Sequence, residues 1–178
     1  MIAGVDEVGR GCLAGPVIAA SVILKRPIEG LMDSKKLSSK KREDLSQVII
    51  ENSIFAIGAA DNQEIDQINI LQASLLAMQR SLEKLDVKPK KVLVDGAHTF
   101  ETPIEIESIA GGDNLIPSIS AASIVAKVYR DKLMMAYSKE FPNYGFDKHK
   151  GYPTRLHKEM LKKYGLTRIH RRTFKGVD

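Results

Sequence analysis

"GVDEVGRGCLAGP", residues 4–16, sets two adjacent acids, Asp6 and Glu7, at the end of an apolar run and follows them at once with Gly9, Arg10 and Gly11. The flanking residues 1–6 and 16–25 ("PVIAASVILK") are apolar and rich in β-branched side chains. They predict two buried strands joined by a glycine turn. The glycines do not make a nucleotide loop. A dinucleotide fingerprint needs G-x-G-x-x-G opening a helix, whereas here the third glycine comes one residue late and a strand follows; without G-K-[ST] there is no P-loop either. Gly9 and Gly11 would instead let bare backbone approach a ligand, with Arg10 able to meet a phosphate. A plain turn is the competing reading.

Outward from this stretch, residues 37–52 predict a helix with Leu45, Val48 and Ile49 on one face, and "SIFAIGAA" (53–60) predicts a third strand. A longer helix follows over 66–85, where Leu71, Leu75, Met78, Leu82 and Leu85 keep helical spacing. "KVLVDGAH" (91–98) and "IEIESIAGGDN" (104–114) read as strands running into glycine and an acid, Asp95 and Asp113. Residues 118–141 are helical, with Ala121, Ala122 and Ala126 suited to close packing on a sheet. "TRLHKEMLKKYG" is a last short helix ended by Gly165. Early strands followed by alternating strands and helices predict an α/β fold, a mixed central sheet flanked by helices. The expected organisation is one domain, 1–178, comprising a core over 1–141 and a small basic helical C-terminal lobe over 142–178.

A chain of 178 residues suits one domain with a real core. No apolar run approaches a membrane span and the start has no basic region before an apolar stretch, so a cytoplasmic protein without membrane association is expected. Cys12, the only cysteine, excludes internal disulfides and cysteine-based zinc, and reads as a small buried thiol. His98, His149, His157 and His170 form no zinc pattern. The net charge of +5 divides unevenly: residues 148–178 hold ten Lys/Arg against two acids, and residues 1–147 hold 17 against 20. Such a basic segment fits a surface facing polyphosphate.

The acids are harder to explain as structure. Asp is depleted in strands and costly to bury unpaired, yet Asp6, Glu7, Asp95 and Asp113 all stand where predicted strands end. Converging there, they would repel one another unless hard divalent cations such as Mg²⁺ or Mn²⁺, which commonly share a site with substrate phosphates, lay among them. Adjacent strand residues point to opposite faces, so Asp6 and Glu7 can serve one site only if the strand ends or twists at Val8–Gly11. Asp61, Glu64 and Asp66 read as helix-start residues and Asp131 as a solvated helix acid. Lys35 and Lys36, at a Ser-rich helix start, suit a phosphate. Lys127, on a small-residue face, must snorkel or meet an anion. Tyr152 among Lys148, His149, Lys150 and Arg155 matches an arrangement that holds a nucleic-acid strand, with an ordinary half-buried turn residue as the competing reading.

In order along the chain, "GVDEVGRGCLAGPVIAASVIL", "DSKKLS", "VLVDG", "GGDNLIPSISAASIVAKVYRD" and "HKGYPT" resemble bacterial ribonuclease HII, and the resemblance extends to "HRRTF" near the end. It implies an RNase H-like fold. It also implies cleavage of the RNA strand of RNA/DNA hybrids and of DNA duplexes containing single ribonucleotides. Carried over by motif, Asp6, Glu7, Asp95 and Asp113 would be the catalytic, metal-binding carboxylates, with Asp131 as competitor for the last place. Gly9, Arg10 and Gly11 would read the 2′-hydroxyl, Tyr152 would pack on the following deoxyribose, and Lys35 would contact a phosphate; Lys127 is a further substrate-binding candidate. Pro153 departs from the glycine found in many members. The expected mechanism is hydrolysis with two divalent ions by a monomer, leaving 5′-phosphate and 3′-hydroxyl ends. A non-catalytic nucleic-acid-binding protein would explain the charge split but not the acids. A junction resolvase or type 1 ribonuclease H would share the superfold.

Overall fold

The computed structural model describes residues 1–31 and 37–177. Five strands form one sheet in the order β3-β2-β1-β4-β5: β1 is Ile2–Val8, β2 Val17–Leu24, β3 Ser53–Ala60, β4 Lys91–Asp95 and β5 Glu105–Ile109. β2 pairs antiparallel with both β1 and β3, while β4 pairs parallel with β1 and β5, so the sheet is mixed. The helices are α1 (Ser39–Glu51), α2 (Asn62–Glu83), α3 (Pro117–Glu140), α4 (Phe146–His149) and α5 (Arg155–Tyr164), with a 3₁₀ turn at Gly112–Asn114. None of them is long and apolar enough to cross a membrane.

Strand alternation divides the core into two layers. Ala3 and Val5 of β1, Val17, Ala19 and Ile23 of β2, and Val92 and Val94 of β4 pack with Ala73, Ala77, Met78 and Leu82 of α2. On the other face, Ile18, Ala20 and Val22 meet Ile49 of α1 and Ala121, Ala122 and Val125 of α3. α3 lies very close to β1. A Cβ on Gly4 would stand 2.2 Å from the backbone carbon of Ser118, so only glycine admits the helix there.

The predicted helices need two corrections. Val48 of α1 is exposed, and Ser46 shares the buried stripe with Ile49. α2 begins four residues earlier than its apolar spacing indicates, because Asp61 and Glu64 form a reciprocal capping box. The helix also breaks at Asn69 (φ 69°), whose Oδ1 accepts from the Leu71 and Gln72 amides and restarts it. Its buried residues are Ile65, Ala73, Ser74, Ala77, Met78, Ser81 and Leu82, while Leu71 and Leu75 are half-buried.

From Phe141 onward the chain builds a third apolar cluster: Tyr144, Phe146, Leu161, Ile169 and Val177 gather on Met134 of α3 and on Leu13 and Ala14 of the glycine turn. Not all of the C-terminal basic charge faces solvent. Arg171 is fully buried, and Arg155 and Arg168 pair with Glu159 and Glu140.

Candidate active site

β1 ends at Val8 and Gly9 turns the chain at φ +97°, so the break falls where it was predicted, and Asp6 and Glu7 are the strand residues just before that end, both paired with β2. On the other side, pairing with β4 stops at Val5↔Val94. Beyond that point β1 has lost one neighbour, and the space past the end of β4 is where the acids collect. Gly4, Asp6 and Val8 share the α3 face of the sheet, and by the same alternation Asp95 is turned to that face; Glu7, one residue before the strand ends, stands close enough for its charge to act on Asp6. Asp6 is buried. It accepts its own strand's Glu7 amide at 2.7 Å and hydrogen-bonds the Ser123 hydroxyl of α3. Burial, together with the charges of Glu7 and Asp95, pushes the Asp6 carboxyl well above the usual carboxylate range, against the pull of Ser123 and the amide.

Asp95 closes β4, and its Oδ1 accepts the Asp113 amide at 3.2 Å. Asp113 does not end a strand: it lies on the 3₁₀ turn between β5 and α3, and its Oδ1 takes the Asn114 side-chain amide at 2.6 Å. Asp131, the competing acid, is half-buried rather than solvated and pairs with Lys127 at 2.8 Å. Lys127 therefore meets its anion within the protein. Lys35 lies outside the described residues.

This donor set suits a hard divalent cation. Asp6, Glu7 and Asp95 interact, supply only oxygen, and among the described residues neither Asp6 nor Asp95 has a cationic partner. Among the same residues no three of His, Cys, Asp and Glu close into a ready-made cage. Such an open set fits an ion that completes its shell with water and phosphate oxygens.

The glycine turn beside the acids is fixed from within by two buried arginines. Arg171 donates to the carbonyls of Gly15 (3.0 Å), Arg10 (2.9 Å) and Gly9 (2.6 Å). Arg130 of α3 donates to those of Pro16 (2.9 Å), Lys150 (2.8 Å) and Ala14 (3.0 Å). Burial pulls Arg171 down to about 10, which leaves it charged at neutral pH. Gly9 has φ +97°, and a Cβ there would stand 2.2 Å from Arg130 Nε, so its glycine answers to the fold. Gly11 is different: it is exposed, and a Cβ would meet nothing within 4 Å. Arg10 is half-exposed and reaches Glu7 at 3.3 Å.

Tyr152 comes to the same place from the other end of the chain. Its ring lies under Lys127 Nζ (5.7 Å to the centroid) and Arg130 Cζ (5.9 Å), and its hydroxyl is hydrogen-bonded to the buried Cys12 thiol. Burial raises the Tyr152 hydroxyl. Pro153 is exposed and leaves the tyrosine in this position. The predicted site residues within the described chain thus fall into two neighbouring sets, the acids on the β1–β4 end and Gly9–Gly11, Lys127 and Tyr152 around Arg130.

Ser123, Arg130 and Arg171 escaped the sequence reading. Arg130 stands one helical turn after Lys127 on the same alanine-rich face, a spacing that could have disclosed it. Arg171 carries no local signal, because its partners are 156 to 162 residues away. Asp66 is also more than a helix-start residue: it accepts the Arg172 and Thr173 amides at 2.9 and 3.0 Å and so anchors the segment bearing Arg171.

A family model described as Ribonuclease HII matches residues 3–177. The chain is 53% identical to a ribonuclease HII of Coxiella burnetii (strain Dugway 5J108-111), covering 99% of this chain and 89% of that one. It is 53% identical to one of Borrelia hermsii, covering 99% and 100%. The crystal structure of the ribonuclease H2 from Pyrococcus horikoshii OT3 superposes with a TM-score of 0.82 at 29% identity, covering 99% of this chain and 94% of that one.

Proposed function

The chain belongs to the ribonuclease HII family and is a nuclease with the RNase H-like α/β fold, and from that premise we propose that it cuts RNA where RNA joins DNA. Its substrates are the RNA strand of RNA/DNA hybrids and single ribonucleotides embedded in duplex DNA, cut on their 5′ side to leave 5′-phosphate and 3′-hydroxyl ends. The observation that carries this reading is the buried Asp6, which has no cationic partner among the described residues, beside Asp95 and set next to a glycine whose missing side chain the fold does not require.

Asp6, Glu7, Asp95 and Asp113 would hold two divalent ions, Mg²⁺ or Mn²⁺, which when bound supply Lewis-acid polarisation of the phosphodiester and a lowered water pKa. Ser123 and the Glu7 amide keep the Asp6 carboxylate oriented. In a planar trans peptide the C=O and N–H point in opposite directions. Because Arg171 draws the Gly9 and Arg10 carbonyls inward, the Arg10 and Gly11 N–H groups are turned away from it, toward the open side of the loop. Donors fixed there suit a ribose 2′-hydroxyl, which a deoxyribose lacks. Tyr152, backed by Lys127 and Arg130, offers a ring to the next sugar. The 142–178 lobe serves the same domain by carrying Tyr152, and the protein works in the cytoplasm as a monomer.

The test is cleavage of four end-labelled duplexes: DNA with one ribonucleotide, RNA/DNA hybrid, all-DNA and all-RNA, each with Mg²⁺, Mn²⁺ or chelator. The first two should be cut, only with metal. Cutting of all-DNA, or cutting that survives chelation, would overturn the reading.

A further inference from the structure

Three of the four histidines, including the His149 that stands in sequence among the cations around Tyr152, are buried together by the fold. His149, His157 and His170 are 7%, 0% and 1% exposed; the His149 and His157 rings stack at 4.4 Å, and His157 Nε2 lies 3.0 Å from His170 Nε2. Their partners fix every proton. The Thr167 amide donates to His170 Nδ1 (2.9 Å), so a neutral His170 carries its hydrogen on Nε2 and donates it to His157 Nε2. His157 must then carry its hydrogen on Nδ1, where the Tyr152 carbonyl accepts it at 2.9 Å. His149 accepts the Gly151 amide on Nδ1 (3.1 Å) and donates from Nε2 to the Tyr144 carbonyl (2.7 Å). A proton added to any ring would set two N–H groups facing each other.

We propose that His149, His157 and His170 are positioning residues for Tyr152, a chain of neutral imidazoles that fixes the 149–152 turn against the glycine loop. The chain ends on the Tyr152 carbonyl on one side and on the Thr167–His170 segment, next to Arg171, on the other. The turn is joined to the loop in turn: Gly151 O accepts the Leu13 amide at 2.8 Å, and Lys150 O accepts from Arg130. Burial favours the neutral rings, bringing His157 and His170 down to about 4 and lowering His149. The titratable and charged groups around them are few. Asp147 and Lys150 of the α4 end act on His149, the Tyr144 hydroxyl is held by the Gly165 carbonyl, and Arg171 is turned to the loop.

The inference rests on the proposed contact of Tyr152 with the substrate, and the two fail differently. On the duplex with one ribonucleotide, Tyr152→Ala should raise KM about 5- to 150-fold, the value of a lost aromatic stack. His157→Phe, which keeps a ring but no donor, should raise KM by the same factor within about threefold, and the double variant should be no worse than Tyr152→Ala within about twofold. His157→Asn, whose side-chain amide restores a donor to the Tyr152 carbonyl, should recover most of the loss. A folded His157→Phe with unchanged KM, where Tyr152→Ala raises it, overturns the positioning role alone; an inert Tyr152→Ala overturns both readings. Should His157→Phe not fold, ¹⁵N spectra of the unaltered protein at pH 6 decide: a neutral His157 protonated on Nδ1 supports the chain, and an Nε2–H or cationic ring refutes it.

Discussion

Gly11→Ala separates a fold requirement from a substrate requirement more cleanly than any other single change. The added methyl meets nothing within 4 Å and φ is not left-handed, so the folded protein has room for it. Its cost to stability is expected near zero, and loss of chain freedom in the unfolded state can make it stabilising by about 0.4–1 kcal/mol. Activity should respond quite differently. If the Gly11 N–H meets a ribose, the methyl must push the sugar away by about 1 Å, and displacements of that size cost about 10²-fold in rate. Gly9→Ala is the control for the opposite case. Its φ of +97° and the Arg130 side chain 2.2 Å from the new methyl should cost about 3 kcal/mol, from left-handed strain and a disturbed buried guanidinium. The assay pairs urea unfolding of each metal-free variant with single-turnover cleavage of the duplex carrying one ribonucleotide. A Gly11→Ala protein of native stability that cuts at the native rate would refute the placement of this backbone at the substrate.

Asp6→Asn should stabilise the metal-free protein while lowering cleavage by at least about 10²-fold, since burial and the charges of Glu7 and Asp95 all disfavour the native carboxylate and the amide is free of that cost. A lower melting temperature with retained cleavage would contradict it. The histidine chain sets an acid limit. His157 and His170 bind protons in the unfolded chain below about 6.5 but in the folded one only near 4. Their contribution is complete above pH 6.5 and is lost as pH falls toward 4, by about 1.4 kcal/mol per pH unit for each histidine. Urea midpoints from pH 7 to pH 4 should trace that slope, and His157→Phe should flatten it.

Much of the sheet is legible in the chain because its strands are continuous apolar runs, and β3 matches its predicted span at both ends. The acids are legible for the complementary reason: Asp has no ordinary business in "VLVDG". The helix interiors were less so. α2 buries the predicted Met78 and Leu82 together with Ala73, Ser74, Ala77 and Ser81 against a close sheet, so its apolar spacing disclosed only part of its buried face.

Local spacing along the chain writes the list of parts: buried strands, acids near their ends, a bare-backbone turn, and a motif order specific enough to name a family. How those parts are held is settled by folding. Arg130 and Arg171 read in sequence as two more cations of a basic chain, yet both are buried with their charge spread over backbone carbonyls. Three histidines with no motif become one buried cluster, His157 hydrogen-bonded to His170 and His149 stacked on His157. The physical reason is range. Strand and helix patterns are written within a few residues, whereas a buried charge or imidazole is defined by partners that folding brings from the far end of the chain.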